Sequence, residues 1–355
     1  MGLSFAPKAI LAGCLLAAAM AVPAAAQDKT YTIYLSNGLI GNDWLQQMQR
    51  SAEVAVKKPP LAGRVDLHIE TVENSAQAQI NSLNNIIAAK PDAIILHAAS
   101  LDALNPTVEA ACAAGIVVIS FSQVVTADCP YKLNTNWDSV NHDIPVWLAN
   151  VLGGKGKIIV DRGLPGSPIS EASNKEIERV MAGFPDIEIV GWYTSNYALG
   201  DEQAGVASLL AANPQIDGIL TAGYGTGAIQ ALKDAGRPLV PIVMFAYNGS
   251  ATACATETQP GLKCFIYTHP PYLSAEAIKL AVDILDGHPP ANKTVLGDYP
   301  RLTTDIVKGD FSPGSDLRKL EIGVNVFPDL PPGLVLPASP DWVNITAEEA
   351  AGTGG

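Results

Sequence analysis

The sequence predicts an α/β fold in which parallel sheets are covered by helices on both faces. Short, continuous apolar segments recur along the chain, and a segment with helical spacing follows almost every one of them. Strands that are apolar on both faces are typical of parallel sheets buried between helices. The chain has 355 residues, of which 48% are apolar and 16% charged, and this is enough for two domains with real cores.

The first unit contains four predicted strands that are rich in β-branched and aliphatic residues. Apolar residues recur with a helical period after each of the first three, and Pro59 and Gly115 mark two of the helix ends. The predicted strands cover residues 31–37, 65–72, 93–96 and 116–121, and the predicted helices cover 44–58, 76–89 and 101–114.

The pattern then restarts as a second unit of similar size. The predicted helices cover residues 143–152, 170–182, 203–212, 228–235 and 274–286, and the predicted strands cover 157–160, 188–192, 218–221, 242–246 and 265–268. From Phe311 onward the chain is Pro-rich and irregular, and we expect it to pack along the surface as a tail.

The charge balance excludes two classes of partner. The chain has 35 acidic and 22 basic residues, a formal net charge of −13. Phosphate recognition needs a surface of Lys and Arg, so a nucleic acid is not an expected partner. An anionic membrane surface is excluded by the same argument.

The N-terminus has the pattern of an export signal. Lys8 precedes an apolar run over residues 9–22, and small residues end at Ala26, after which we expect cleavage. Residues 1–26 are therefore predicted to be a signal peptide. A lipobox at 11–14 would instead make Cys14 a lipid-bearing N-terminus, but only five residues separate Lys8 from Cys14. No later apolar run approaches the ~18–20 residues that a membrane span requires.

Four cysteines remain after cleavage, and the exported compartment oxidises thiols. Three pairings are possible, and sequence proximity favours Cys112 with Cys129 and Cys254 with Cys264. Each bond would stabilise the fold by perhaps ~2–3 kcal/mol, and four separate buried thiols are the alternative.

Two glycine-rich segments suggest enzyme chemistry but lack the full motifs. Gly223, Gly225 and Gly227 follow a predicted strand with the spacing G-x-G-x-G, whereas a dinucleotide loop needs G-x-G-x-x-G. The segment 153–157 precedes a strand and lacks the Ser or Thr of a phosphate loop. No nucleophile, base and orienting group come together in the sequence. We therefore predict a protein that is not an enzyme and that has no cofactor and no metal.

The predicted strands end in aromatic and neutral polar residues. In open α/β sheets, ligands bind beyond the carboxyl ends of the strands. Rings that pack on C–H faces and amides that meet hydroxyls suit an uncharged, polyhydroxylated ligand. The residues at these ends are Asn42, Trp44, His97, Ser122, Gln123, Tyr224, Tyr247, Asn248 and His269.

With these features, the chain resembles the type I periplasmic solute-binding proteins of ABC importers, in the sugar-binding branch near the ribose- and galactose-binding proteins. The resemblance covers nearly all of residues 28–305. It is carried by the order and spacing of the segments YTIYLSNGLIGNDW (31–44), PDAIIL (91–96), AGIVVISF (114–121), AIQALKDAG (228–236) and IVMFAYNG (242–249).

The resemblance implies two Rossmann-like lobes with a ligand cleft between them and a hinge of three chain crossings. The crossings are expected near residues 135–137, 267–269 and 298–304. The N-terminal lobe would then comprise residues 27–136 and 269–300. The C-terminal lobe would comprise residues 137–268 and 301–355, including the irregular tail.

The family's pocket pattern implies a role for individual positions. Asn42 and Trp44 fall at an amide and an aromatic position, and Tyr197 and Tyr247 fall at rings that sandwich a sugar. His97 and His269 replace common amides, and Glu171 falls near a frequent Arg. Ser122 and Gln123 replace an Asp-Arg pair, and Asn248 replaces an Asp. Asn136, at the first crossing, completes the predicted site.

These departures suggest a less conventional ligand than ribose, such as a deoxy sugar, a polyol, a sugar conjugate or a more apolar ring compound, because charge-assisted clamps on hydroxyls are lost. The expected function is a monomeric, periplasmic receptor that closes around one ligand and delivers it to a membrane permease. A receptor for a chemotaxis or sensor-kinase system is the alternative, and the sequence does not separate the two.

Overall fold

The computed structural model describes residues 29–39, 41–73, 75–165, 167–304 and 317–354, so the predicted signal peptide and Cys14 lie outside the described residues. In the described chain, the first lobe has a six-stranded parallel sheet. From edge to edge its strands are β2 (Val65–Thr71), β1 (Tyr31–Asn37), β3 (Ala93–His97), β4 (Val117–Phe121), β5 (Tyr131–Thr135) and β11 (Thr294–Gly297). Its helices are α1 (Asp43–Ala55), α2 (Ala76–Ala89), α3 (Asn105–Ala113) and α9 (Leu273–Leu285).

The second lobe has a seven-stranded sheet in the described part of the chain, parallel except where β10 meets β12. From edge to edge its strands are β7 (Asp186–Tyr193), β6 (Lys155–Asp161), β8 (Gly218–Leu220), β9 (Ile242–Phe245), β10 (Cys264–Tyr267), β12 (Arg301–Thr303) and β13 (Leu317–Lys319). Its helices are α4 (Trp137–Val151), α5 (Pro168–Met181), α6 (Leu199–Ala212), α7 (Thr226–Asp234) and α8 (Asn248–Thr256). The predicted α/β class is confirmed. No described helix is both long and apolar enough to cross a bilayer.

Several elements differ from the prediction. Strands β11, β12 and β13 and the short helix Ala347–Ala351 were not predicted. Three further differences have a local reason. Strand β5 was missed because it alternates intermediate and buried residues from Lys132 to Thr135 instead of forming an apolar run. Helix α8 was missed because its small residues give no helical apolar period. Helix α4 begins at Trp137 and not at 143, because the fold accommodates Pro145 in the helix interior and Asn136 caps the N-terminus.

The chain passes between the two sheets at three places. It leaves the first sheet after β5 and enters α4, returns after β10 to α9, and leaves again between β11 and β12. The first and third passages touch each other, because the backbone N–H of Asn136 donates to the carbonyl of Gly297 at 2.9 Å.

A buried ion pair fixes the start of α4 against β12, at the third passage. Arg301 and Asp143 have side chains that are 0% exposed, and the guanidinium lies 3.1 Å from the carboxylate. Arg301 also donates to the hydroxyl of Ser139 at 2.9 Å and to the carbonyl of Tyr299. A buried charge is tolerated only when it is paired and hydrogen-bonded, and Arg301 meets both conditions.

The C-terminal tail contacts both lobes, which corrects its assignment to the C-terminal lobe alone. The N–H of Leu336 donates to Ala246 in the second lobe, and Val335 exchanges two hydrogen bonds with the side chain of Gln47 on α1. The following residues lie on the first lobe, where Lys58 pairs with Glu349 of the short helix α10 (Ala347–Ala351). Apolar tail residues join the core cluster that both lobes share, and these are Leu334, Val335, Leu336, Val343 and Ile345.

Both cysteine pairs that sequence proximity favours are bonded. Cys112 joins Cys129 in the first lobe, and Cys254 joins Cys264 in the second. The first bond fastens the end of α3 to the loop before β5, and the second fastens α8 to β10. Each bond therefore fastens a helix to another segment of its own lobe.

Replacing one member of the buried ion pair is expected to cost more than replacing both. Arg301→Met leaves the Asp143 carboxylate buried without its guanidinium, and we expect the free energy of unfolding to fall by ~3–5 kcal/mol. The double variant Arg301→Met/Asp143→Leu should recover at least half of this loss. Urea unfolding followed by circular dichroism measures both values. A double variant no more stable than Arg301→Met would contradict the expectation.

Candidate functional site

A cavity of about 230 Å³ lies between the lobes, beyond the carboxyl ends of both sheets. Both lobes contribute to its wall, so a molecule in it would touch the two parts that the hinge connects. Eight of the twelve predicted site residues line it: Asn42, Trp44, His97, Ser122, Gln123, Tyr197, Tyr247 and His269.

His269 is held in the cavity wall between two tryptophans, one from each lobe. Its ring is parallel to that of Trp44, with ring centroids 5.3 Å apart. The ring of Trp137 has its centroid 5.2 Å away and its plane is tilted by 36°. Its two nitrogens meet the hydroxyls of Ser122 and Thr135 at 2.8 and 2.6 Å. Burial lowers the pKa of His269 to about 3, so the ring is neutral at pH 7. His269 thus orients the aromatic wall and keeps no free nitrogen for a ligand.

His97 presents a hydrogen-bond acceptor to the cavity. The amide nitrogen of Asn37 donates to the carbonyl of Leu39, so the amide oxygen faces Nδ1 of His97 at 3.1 Å. Nδ1 must therefore carry the proton, and Nε2, which has no hydrogen-bond partner among the described residues, is the acceptor. Burial lowers the pKa of His97 to about 4, which preserves this tautomer at neutral pH. Nε2 is available to accept a ligand hydroxyl.

Asp161, at the end of β6, uses its carboxylate to hold the second wall together. One oxygen accepts from the N–H groups of Gly163 and Ser195 at 2.8 and 3.0 Å, and the other accepts from Ala222 at 3.1 Å. Three loops therefore converge on one buried side chain. Burial raises the pKa of Asp161, and the backbone bonds oppose that rise. The carboxylate lines the cavity but is already engaged by backbone donors.

Two further side chains in the second wall are held by local contacts. The Arg162 guanidinium lies over the ring of Trp192, 4.4 Å from its centroid. Tyr197 has a positive φ of 56°, and its hydroxyl meets that of Ser170 at 2.5 Å. A non-glycine residue in this left-handed region is uncommon and occurs often where a ligand binds.

Glu171 does not line the cavity, which corrects its predicted role. It is exposed on α5, whereas Ser170, Ser173 and Asn174 line the cavity from that helix. These three positions follow the i, i+3, i+4 spacing of one helical face, and Glu171 lies off that face. The helix was correctly predicted here, but the register of its inner face was not.

Asn248 is also corrected, because its side chain binds the tail and does not line the cavity. It is 1% exposed, donates to the carbonyls of Phe327, Leu330 and Pro331, and accepts from the N–H of Phe327. An amide that makes these four contacts has no group left for a ligand.

Asn136 and Tyr224 lie outside the cavity as well. The side chain of Asn136 caps α4 by accepting from Ser139, so it serves the hinge. Tyr224 stacks against Tyr247 with ring centroids 4.2 Å apart, so it supports the cavity wall from outside.

Several lining residues were not predicted. Asp161, Arg162 and Phe245 stand at strand ends, and the rule used for the other strands would have found them. Trp137 lies on α4, whose start was predicted too late, and its buried indole N–H has no partner among the described residues. The remaining unpredicted lining residues are Leu39, Leu45, Asn141, Ile144, Ile169, Ser170, Ser173, Asn174, Ala222, Gly223 and Tyr267.

The G-x-G-x-G segment encloses a carboxylate of the protein itself. Glu202, 0% exposed on α6, accepts from the N–H of Ala228, and the N–H groups of Gly225 and Gly227 also bond to it. A Cβ at Gly227 would come within 2.9 Å of the Glu202 carboxylate. The helix N-terminus that a phosphate could occupy is therefore capped from within. Burial raises the pKa of Glu202 to about 7.

No group of three His, Cys, Asp or Glu side chains is placed to hold a metal ion within the described ranges. The cavity lining combines six Phe, Trp and Tyr side chains, aliphatic side chains and neutral polar groups. Its charged side chains are Asp161, which is bonded to backbone N–H groups, and Arg162, which is not bonded to backbone of the described residues through its guanidinium. Such a wall can bind by ring packing and by neutral hydrogen bonds.

Comparison with known proteins places the chain in a family. A family model described as the periplasmic binding protein domain matches residues 33–289, and the chain belongs to this family. The predicted family resemblance is confirmed, and the family consists of solute-binding proteins, so the prediction that the chain is not an enzyme is confirmed too. Proteins of this family are periplasmic.

Individual relatives agree with this assignment. A xylitol-binding protein of Mycolicibacterium smegmatis is 30% identical over 186 residues, which cover 51% of this chain and 53% of that relative. The chain thus spans about half the length of this relative. The chain is also similar to an ABC transporter solute-binding protein from Thermobispora bispora with a known crystal structure, at 28% sequence identity. The match covers 75% of this chain and 83% of that one, with a TM-score of 0.62.

A further structure supports the fold alone. An ABC transporter periplasmic solute-binding protein from Actinobacillus succinogenes, with bound D-allose, has a TM-score of 0.66 at 22% identity. The match covers 78% of this chain and 98% of that one.

Glu202 is expected to make stability fall as pH rises. Its folded pKa of about 7 lies above the unfolded value, so the fold binds an extra proton between pH 4.5 and 7. Its contribution is fully present below pH 4.5 and declines by about 3 kcal/mol by pH 7. We expect Glu202→Gln to remove this decline, so that the variant gains stability relative to the wild type between pH 5 and 8. Urea unfolding at both pH values tests this, and parallel pH profiles would contradict it.

Trp44 is expected to contribute directly to ligand affinity. Trp44→Ala removes a ring that lines the cavity, and we expect binding to weaken by ~1–3 kcal/mol, or roughly 5- to 150-fold. Isothermal calorimetry with a ligand that binds the wild type measures this. Asn248→Ala is the matched control, because it should lower the free energy of unfolding by ~1–3 kcal/mol and leave the affinity unchanged. The opposite pattern in the two variants would place the site elsewhere.

Proposed function

We propose that this protein captures one small, neutral, polyhydroxylated molecule in the cleft between its lobes and presents it to the membrane permease of an ABC importer. The ligand class is a sugar, a deoxy sugar, a polyol or a sugar conjugate. The observation that carries the proposal is the cavity itself, which has aromatic rings on both lobes and neutral hydrogen-bonding groups between them.

The electrostatics of the cavity support a neutral ligand. The Asp161 carboxylate is engaged by backbone N–H groups, the Arg162 guanidinium is packed over the ring of Trp192, and both histidines are neutral at pH 7. His97 Nε2 can accept a hydroxyl proton, and the indole N–H of Trp137 can donate to a hydroxyl oxygen. A hydroxyl both donates and accepts, so one class of group satisfies both positions.

The apolar part of the wall favours a second candidate, a ligand with a substantial apolar surface. Leu39, Leu45, Ile144 and Ile169 line the cavity, and none of them has a polar atom to offer a hydroxyl. A ring compound with few hydroxyls would bury less unpaired polar surface against these side chains. An inositol or a hexose would instead need its hydroxyls grouped on one side.

The cellular role follows from the family and from the N-terminal pattern. Export with cleavage after Ala26 would deliver the mature chain to the periplasm as a monomer. The hinge passages allow the two lobes to rotate around a bound ligand, and the closed form would be the one that the permease recognises. The relative named as a xylitol-binding protein supports a polyol or sugar as cargo.

A ligand screen by thermal shift and calorimetry tests the proposal. The panel should contain pentoses, hexoses, deoxy sugars, linear polyols, inositols and aromatic glycosides. A ligand with micromolar or tighter affinity raises the midpoint of unfolding when it is present at 100-fold excess over its dissociation constant, because binding then adds about 2.7 kcal/mol. We expect one group to bind and the others to leave the midpoint unchanged.

The pattern of binding decides between the two candidates. Preference for pentoses, hexoses, deoxy sugars, linear polyols or inositols supports the polyhydroxylated ligand, and preference for aromatic glycosides supports the more apolar one. A lack of binding across all six groups would overturn the sugar-class proposal. Binding of an anionic sugar acid in preference to its neutral parent would overturn the argument from charge.

A further inference from the structure

A second cavity, of about 680 Å³, lies on the hinge side of the protein and is separate from the cleft. It has three walls: helix α9 of the first lobe, the third passage at residues 297–300, and the tail at residues 337–342. None of its lining residues lines the cleft cavity.

The charged side chains of this hinge cavity leave an excess of acid. Lys279 is paired with Asp283 at 2.6 Å, and Arg318 has an interaction of its own. In contrast, Glu276, Asp298 and Asp341 have no Lys or Arg within ion-pair distance among the described residues. The lining therefore holds four acidic side chains against Lys279 and Arg318, and Asp298 also lies close enough to Arg301 to raise the pKa of that guanidinium. Asp298 and Asp341 are exposed, so Glu276 is the least exposed carboxyl group without an ion-pair partner here.

Aromatic rings surround the most buried of these carboxyl groups. The hydroxyl of Tyr299 donates to Glu276 at 2.8 Å, and the ring of Tyr272 meets that of Tyr299 edge to face at 6.0 Å. The lack of a side chain at Gly297 allows this arrangement, because a Cβ there would lie 2.5 Å from the Tyr299 ring. Trp342 of the tail forms the opposite wall, and its buried indole N–H has no partner in the described chain.

The chemistry of these walls selects one class of ligand. Metal ions need three or more converging ligands, and the described residues contain no such group. Aromatic rings next to carboxylates bind organic cations, because the ring faces attract the positive charge and also cover the alkyl groups. We propose that the hinge cavity is a binding site for a small organic cation with an apolar body, such as an alkylammonium compound, enclosed by Trp342, Tyr299 and Glu276.

Choline and its neutral isostere 3,3-dimethylbutan-1-ol test this site directly. The two molecules have nearly the same shape, but only choline is charged. The measurement is calorimetry on the full chain carrying Trp44→Ala and Tyr247→Ala, which weaken the cleft, so that binding reports on the hinge cavity. We expect choline to bind at least tenfold more tightly than the neutral isostere.

Single variants in the same background identify the groups responsible. Glu276→Gln keeps the hydrogen bond from Tyr299 but loses the charge, and we expect at least tenfold weaker choline binding. Trp342→Leu should also weaken binding, whereas Trp342→Phe should retain most of it. Glu348→Gln is the matched control, because it removes an exposed acid of α10 that does not line the cavity.

The pH dependence adds a readout that a merely structural role of Glu276 would not produce. Burial raises the pKa of Glu276 to about 7, and Asp341 contributes to the rise. Ionisation of Glu276 should therefore strengthen choline binding between pH 6 and 8, by about tenfold, and Glu276→Gln should abolish this change. The other titratable groups that line the cavity are Tyr272, Lys279, Asp283, Asp298, Tyr299, Arg318 and Asp341.

Three results would overturn the inference. These are equal binding of choline and its isostere, an absence of choline binding at millimolar concentration, and binding that Glu276→Gln and Trp342→Leu leave unchanged. None of them bears on the cleft, whose ligand is tested with the intact cleft and neutral compounds. The proposal for the hinge cavity and the proposed function are therefore tested independently of each other.

Discussion

The buried pair of Arg301 and Asp143 is the interaction on which the geometry of the cleft depends. Arg301 stands at the start of β12, directly after the third passage, and Asp143 lies about two turns inside α4, which begins at the first passage. The pair therefore sets the direction in which α4 leaves the hinge. Because Trp137, Asn141 and Ile144 of α4 line the cavity, the ion pair also positions part of the ligand wall. Buried ion pairs contribute less to net stability than to geometry, and this one fits that role.

Two buried carboxylates near the cleft organise backbone and do not contact the cleft ligand. Asp161 gathers three loops of the second lobe, and Glu202 caps α7 from behind the glycine segment. Both acids lie close to the cleft, and each has a raised pKa because it is buried. The consequence is a cavity bounded by acidic residues whose carboxylates are not free for a ligand, so that Arg162, packed on Trp192, is the remaining charged side chain of the wall. The low charged fraction of the sequence thus has a local counterpart at the site.

The parts of the structure that follow from apolar runs could be predicted, and the parts that depend on long-range partners could not. The parallel sheets follow from the apolar periodicity of the sequence. The position of the ligand follows from the rule that open α/β sheets bind ligands beyond the carboxyl ends of their strands. Glu171 was misplaced because a shift of one residue on a helix changes the face, and its neighbour Ser170 lines the cavity instead. Asn248 was misplaced because its partners, residues 327–331, lie about 80 positions away in an irregular tail. No local signal marks such a contact.

The tail changes how the hinge has to be understood. Val335 bonds to Gln47 in the first lobe and forms a bridge with Tyr247 in the second, so the tail crosses between the lobes. At the next residue, the carbonyl of Leu336 accepts from Thr268, which lies in the second passage. The tail therefore crosses beside the second passage. A tail segment close to the rotation axis moves little when the two lobes rotate, whereas a segment across the mouth of the cleft would have to lose its contacts with one lobe. This placement lets the chain fasten both lobes together and still leave the cleft free to close.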